Sequence, residues 1–204
     1  MKKLILKIPP LLLLLLIPLL AHTQTINTTA GSVTSCPGQI IIPIEVTNFN
    51  NIGGVSLVLN YNPDVLAYNG YQNLHAALAG GELIVNDVSG RIYITWAKSS
   101  GASIGNGVLL KLIFTGMPGT SSLSWDTQTP GSCEYSNISG NIVPASFING
   151  NVTIHQPPVI NTQPDNKTVL VNQSTTFSVN AAGTNLTYKW LLSTNGGNTW
   201  IQVN

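Results

Sequence analysis

Charge is scarce in this chain. Only 7% of its 204 residues are Asp, Glu, Lys or Arg, eight basic against seven acidic. Nucleic-acid binding needs Lys and Arg clustered on one face to neutralise phosphates, and a formal charge of +1 supplies no such footprint. Cysteine is nearly absent, at two residues, and neither stands in a CxxC or Cys/His spacing that would hold a metal. Histidine is equally thin. Beyond His22 there are only His75 and His155, so a Ser/His/Asp triad would have to run through His75, and the chain has no nucleophile elbow. HExxH and EF-hand loops are also missing. Glu82 and Asp87 are the only carboxyl pair worth weighing for glycoside hydrolysis. Isolated acids on a strand and its following turn read instead as solvated surface groups. No catalytic residue, metal site or cofactor is assigned.

The N-terminus has a different character. Lys2, Lys3 and Lys7 form a positive region, and Leu11 to Leu20 is an almost pure apolar run. Ala21-His22-Thr23 then offers small residues three and one before a cut at Gln24, the layout of a signal peptide. The run is broken by Pro9, Pro10 and Pro18 and is shorter than the roughly 20 residues a spanning helix needs. The expectation is a signal peptide over residues 1–23, export to the cell surface or medium, and no membrane span after cleavage.

Period-two alternation dominates the rest, and no stretch carries a 3.6-residue apolar face long enough for a helix. In Ile40 to Thr47 the even positions are aliphatic, while Pro43, Glu45 and Thr47 face the other way. Pro43 lacks a donor N–H, which points to an edge strand or one paired only in part. Val55 to Tyr61 repeats the scheme, with Ser56, Val58 and Asn60 outward. Further strands are expected over 82–85, 91–97, 107–114, 122–125 and 149–154, separated by Gly- and Ser-rich turns. Many short strands over about 130 residues argue for an all-β sandwich over residues 24–154. His155-Gln-Pro-Pro158 then reads as a stiff linker, residues 155–158. A second unit follows over 159–204, with candidate strands 167–171, 175–180, 186–192 and 200–203. That is too short for an immunoglobulin-like sandwich of about 100 residues, so a partial domain of a longer protein is expected.

Cys36 and Cys133 flank the first unit. In an oxidising compartment they would pair and close a loop of nearly the whole module; two separate thiols are the alternative. Among the aromatics, Trp96 shares its strand face with Ile92 and Ile94 and belongs in a core. Tyr61 and Tyr68 read as structural. Tyr71, Tyr93, Trp125 and Tyr135 remain open, and an exposed coplanar set of them could stack on sugar rings.

The run Asn51 to Tyr68, with its turn Tyr61-Asn-Pro-Asp-Val-Leu66, resembles a cohesin domain. The resemblance continues through Gly81-Glu-Leu-Ile-Val85, Arg91-Ile-Tyr-Ile-Thr-Trp-Ala97 with Ser100-Gly101, and Gly105 to Phe114, and spans about residues 30 to 154. It implies a nine-stranded jelly-roll sandwich that binds a dockerin on one sheet face. The family's contact positions fall on Gly54 and Ser56 of one strand and Lys98 and Ser99 of another. There the best-known cohesins carry Asn and Asp, then acidic residues. The outward rows add Asn60, Tyr93 and Thr95, giving Ser56, Asn60, Tyr93, Thr95, Lys98 and Ser99 as the expected partner-binding set. The tail is similar to the immunoglobulin-like repeats of large exported Bacteroidetes proteins, through Pro157 to Pro164, Ser174 to Val179, Leu186 to Trp190 and Asn195 to Trp200. Trp190 would be its core tryptophan. The combined expectation is an exported non-catalytic module that recruits dockerin-bearing, polysaccharide-degrading enzymes. The alternatives are a polysaccharide-binding module, through Tyr71, Tyr93 and Trp125, and a structural spacer of an adhesin.

Overall fold

A computed structural model of the chain describes residues 25–203, so the expected signal peptide lies outside the described residues. The first unit is built from β1 (Ile26–Ala30), β2 (Val33–Ser35), β3 (Gly38–Phe49), β4 (Ile52–Asn60) and β5 (Leu66–Gln72), then a single 3-10 turn at Ala76–Leu78. It continues with β6 (Glu82–Asp87), β7 (Arg91–Ala102), β8 (Gly105–Gly116), β9 (Gly119–Trp125), β10 (Glu134–Asn137), β11 (Ile142–Val143), β12 (Ala145–Ile148) and β13 (Gly150–Ile154). That 3-10 turn is the only helical element among the described residues. The all-β jelly-roll sandwich is as expected, divided more finely than nine strands.

One sheet has the order β12-β1-β3-β8-β5. In the other, β11-β10-β4-β9-β13-β2 form a path, β7 lies along the opposite edge of β4, and β6 lies beyond β7. The chain changes sheet almost at once: β1 runs parallel to β12 in the first, and β2 runs parallel to β13 in the second. Gly31 marks the crossing, its N–H donating to the Pro43 carbonyl at 2.9 Å. Beyond that point β3 has no partner on the β1 side. A residue's N and C=O point to the same side of its strand, so the missing N–H of Pro43 faces Gly31, where the chain leaves this sheet, while β8 pairs the other side through Lys111. This is the partial pairing the proline predicted.

The inner faces meet as the alternation requires. Ile40, Ile42, Ile44 and Val46 of β3 and Leu110, Leu112 and Phe114 of β8 are buried against Val55, Leu57 and Leu59 of β4 and Ile92, Ile94 and Trp96 of β7. Each such side chain contributes roughly 1.5–3 kcal/mol relative to exposure. One polar bridge spans the core: Thr28 Oγ1 and the Tyr135 hydroxyl lie 2.7 Å apart, both residues fully buried. Tyr135, one of the rings left open by the sequence, is thus a core residue, and its ring stacks on Phe147.

The expected disulfide is not formed. Cys36 is exposed and Cys133 half-buried, both as free thiols. The ladders explain why. Cys36 follows β2 where Ser35 pairs with Ile154, which in turn faces Gly119 at the start of β9. Cys133 Sγ instead contacts the Val58 carbonyl at 3.6 Å, next to Leu59, which pairs with Trp125 at the end of β9. The length of β9 therefore separates them, roughly 20 Å at about 3.4 Å per residue, whereas a disulfide tolerates at most about 7 Å between Cα atoms.

Residues 155–203 contain two short ladders, β14 (Val159–Thr162) with β15 (Asn180–Ala182) and β16 (Trp190–Leu192) with β17 (Ile201–Val203). The strand expected over 167–171 is not formed, and those over 175–180 and 186–192 shrink to Asn180 and to 190–192. Trp190 is 42% exposed rather than central.

Candidate functional site

The outer face of β6, β7, β4 and β10 forms a shallow trough of about 350 Å3. Register puts its residues in rows across the strands. One row runs Glu82, Ala97, Gly54, Ser136, and reaches Ile142 on β11; the next runs Ile84, Thr95, Ser56, Glu134. The floor is shallow because the two central strands carry small side chains there: Ala97 and Thr95 on β7, Gly54 and Ser56 on β4. At Gly54 the floor is bare, and the Ser136 hydroxyl lies over it, 2.5 Å from where a Cβ would stand. The walls are aliphatic and acidic. Ile84 is 65% exposed on one side and Ile142 62% exposed on the other, each beside a glutamate.

The loop between β9 and β10 closes one end of the trough. Ser56 Oγ donates to the Gly131 carbonyl at 2.7 Å, and the Gly131 N–H donates to Glu134 Oε1 at 3.1 Å, so the glutamate is tied to the loop it follows. Above this, Tyr93 lies beside Val58 and carries the Arg91 guanidinium 5.6 Å from its ring centre. Arg91 is ion-paired with Asp126. The Thr129 backbone N–H, and after it the Thr129 side chain and Arg91, hold the Asp126 carboxyl below the usual carboxylate range.

Of the residues expected on the binding face, Ser56 and Thr95 sit in the centre of the trough, and Tyr93 lies one row away. Asn60 is farther along β4, its amide donating to the Ser124 carbonyl at 3.2 Å. Lys98, with its Nζ donating to the Ala79 carbonyl at 2.8 Å, and the exposed Ser99 line an adjoining depression that shares Glu82 and Ala97 with the trough. Sequence reasoning did not bring Ile84, Glu134 and Ile142 to this face. Ile84 is hidden inside the apolar run Leu83-Ile-Val85, and β10 and β11 are too short to show an alternation.

Other candidates resolve into structural roles. His75 Nδ1 accepts the Ala77 N–H at 3.2 Å and caps the 3-10 turn. Asp87 accepts the Tyr61 hydroxyl at 2.9 Å. The suspected sugar-stacking set is dispersed: Trp125 is 6% exposed with its indole N–H on the Ile148 carbonyl, and Tyr71 and Tyr93 belong to different sheets. Among the described residues no group of His, Cys, Asp or Glu could hold a metal ion, and no helix is long and apolar enough to cross a membrane.

The first unit is thus a two-sheet jelly-roll sandwich with an open, small-residue trough on one sheet. The cohesin-domain model matches residues 26–154, and the chain belongs to the cohesin family. Among solved structures, a non-cellulosomal cohesin from the archaeon Archaeoglobus fulgidus is 25% identical, with a TM-score of 0.55 over 64% of this chain and 91% of that one. A type I cohesin–dockerin complex from Clostridium thermocellum gives 17% identity and a TM-score of 0.56 over 64% and 99%. A type II cohesin from the cellulosome of Acetivibrio cellulolyticus gives 17% and 0.53 over 64% and 95%. The last two are likenesses of fold. No curated protein sequence matches the chain.

Proposed function

We propose that residues 24–154 dock a dockerin-like module through the trough on β6, β7, β4 and β10. On this reading the chain is exported, its first 23 residues serving as signal peptide. It works as a scaffold that gathers polysaccharide-degrading enzymes, with an immunoglobulin-like spacer after the linker at 155–158. The carrying observation is the trough: a floor of Gly54, Ser56, Thr95 and Ala97 between walls that expose Ile84 and Ile142. Such a surface admits a packed element from a partner and returns apolar burial for it, while polar edges supply selectivity. Solved cohesins of this fold are held in complexes with dockerins. Ser56, Thr95 and Tyr93 then contact the partner directly, and Asn60, Lys98 and Ser99 lie at its margins.

The test is binding of a panel of Ca2+-loaded dockerin modules to the immobilised full chain, by surface plasmon resonance. At least one dockerin is expected to bind, to be lost on chelation, and to be lost with Thr95→Arg, which fills the floor while leaving the exposed β7 position folded. Retention of the chain on insoluble cellulose, xylan or chitin with no dockerin bound would replace this reading with a glycan-binding one.

A further inference from the structure

Both sheets of the first unit end on strands that are paired along one side only. Such edges recruit other chains unless they are short, bulged or charged. Most of them are guarded in this way. β12 has four residues, β2 three and β11 two, while β5 is bulged between Tyr68 and Gly70, where Gly70 takes a φ of 118°. β6 is different. It pairs with β7 through all six of its residues without a register shift, contains neither proline nor lysine, and holds Ile84 65% exposed. Its acids, Glu82 and Asp87, stand only at its two ends.

The hairpin after β6 determines which of its backbone groups are free. Val88 and Arg91 exchange both of their backbone hydrogen bonds, at 2.9 and 3.2 Å. Alternation along an antiparallel pair then turns the N–H and C=O of Asn86, Ile84 and Glu82 toward β7, and those of Leu83 and Val85 toward the open edge. Among the described residues no strand pairs with that edge. The Leu83 and Val85 side chains are half-buried against the core, so the open edge is held in place from within.

We infer that β6 is a self-pairing edge, which joins two copies of this chain antiparallel about a two-fold axis at Ile84. The sequence selects this register. It sets Ile84 opposite Ile84 of the second copy on the outer face, Leu83 opposite Val85 on the inner face, and Glu82 opposite Asn86. Apolar groups meet apolar groups, and each glutamate meets an amide. A slip of one residue would turn Ile84 to the wrong face and set Glu82 against Asp87. In the Ile84-centred register Leu83 and Val85 exchange their free hydrogen bonds with Val85 and Leu83 of the second copy. The two Ile84 residues form the non-hydrogen-bonded pair between them, with Cα atoms about 4.5 Å apart. The contact is only about five residues long, so the dimer is expected to be reversible, with a Kd of about 10–100 µM. This pairing uses the edge of β6 and does not depend on the docking reading.

The experiment is sedimentation of the full chain over about 1–500 µM, with variants that act on the edge alone. The parent is expected to pass from monomer to dimer. Val85→Pro removes an N–H that β7 does not use, a position at which an edge strand accepts proline, and is expected to raise the dimer Kd by at least about tenfold at an unchanged melting temperature. Ile84→Lys, which sets two like charges together across the axis, is expected to do the same. Register is tested by crosslinking in a Cys36→Ser background, which removes the exposed native thiol. Ile84→Cys is expected to form an intermolecular disulfide under mild oxidation, since its Cα separation falls in the bonding range of about 4.4–6.8 Å. Asn86→Cys is expected to remain reduced, because its counterpart lies four residues along the strand, about 14 Å away. A parent that stays monomeric throughout would overturn the inference, as would a dimer that survives Ile84→Lys or crosslinks at Asn86 as readily as at Ile84. Should Val85→Pro fail to fold, Ile84→Lys and the two cysteine variants decide the matter.

Discussion

The Thr28–Tyr135 bridge joins the two sheets through a hydrogen bond that water cannot replace, since both residues are fully buried. Tyr135→Phe strands the threonine hydroxyl in an apolar core, and urea unfolding is expected to show a loss of about 1–3 kcal/mol. Adding Thr28→Val removes both polar partners together and is expected to recover much of that loss. Tyrosines also set the alkaline limit of the fold. Burial pushes the Tyr68 phenol up to about 12 from 10.0, and burial likewise raises Tyr61 and Tyr135. The folded chain therefore holds these protons after the unfolded chain has released them. Stability is full below about pH 10 and falls as pH rises toward about 12, so urea midpoints should decline steadily across that window.

At the scale of elements, the crossing from β1 to β2 depends on one close approach. A Cβ on Gly150, at the start of β13, would lie 2.6 Å from the carbonyl oxygens of both Ala30 and Gly31. These are backbone atoms at the point where the chain changes sheet, so they cannot yield as a side chain would. Gly150→Ala is expected to cost about 1–3 kcal/mol in thermal or urea unfolding. Elements of this kind divide what was legible from what was not. The long strands β3, β4 and β7 read directly from alternation over 40–46, 55–59 and 92–96, the stretches where every second side chain is buried. Pro43 even announced its own gap. The sheet to which each strand belongs was not legible, since β1 and β2 are short, adjacent and split between sheets. The trough was half legible for the same reason. Ser56 and Thr95 lie on long alternating strands, whereas Glu134 and Ile142 come from strands of four and two residues. Their position is fixed by pairing with β4 and not by their own pattern.

At the scale of the molecule, the absence of a disulfide means that the sandwich rests on packing and ladders alone. A reductant is therefore expected to leave the melting temperature unchanged. A thiol reagent should modify exposed Cys36 in the native chain quickly and Cys133 slowly, because burial pushes the Cys133 thiol up and keeps it protonated. A melting temperature that drops with reductant would show that the two sulfurs had joined.

The early change of sheet also determines how the module responds to being pulled. Tension applied at the two ends of the first unit enters through β1 and leaves through β13, and each of these strands has a parallel neighbour, β12 and β2 respectively. Force drawn along parallel neighbours in opposite directions loads their hydrogen bonds side by side and at the same moment, instead of peeling them apart one by one. A tether strung through this unit would therefore stay taut under loads that unzip a simple hairpin, and would give way in one abrupt step.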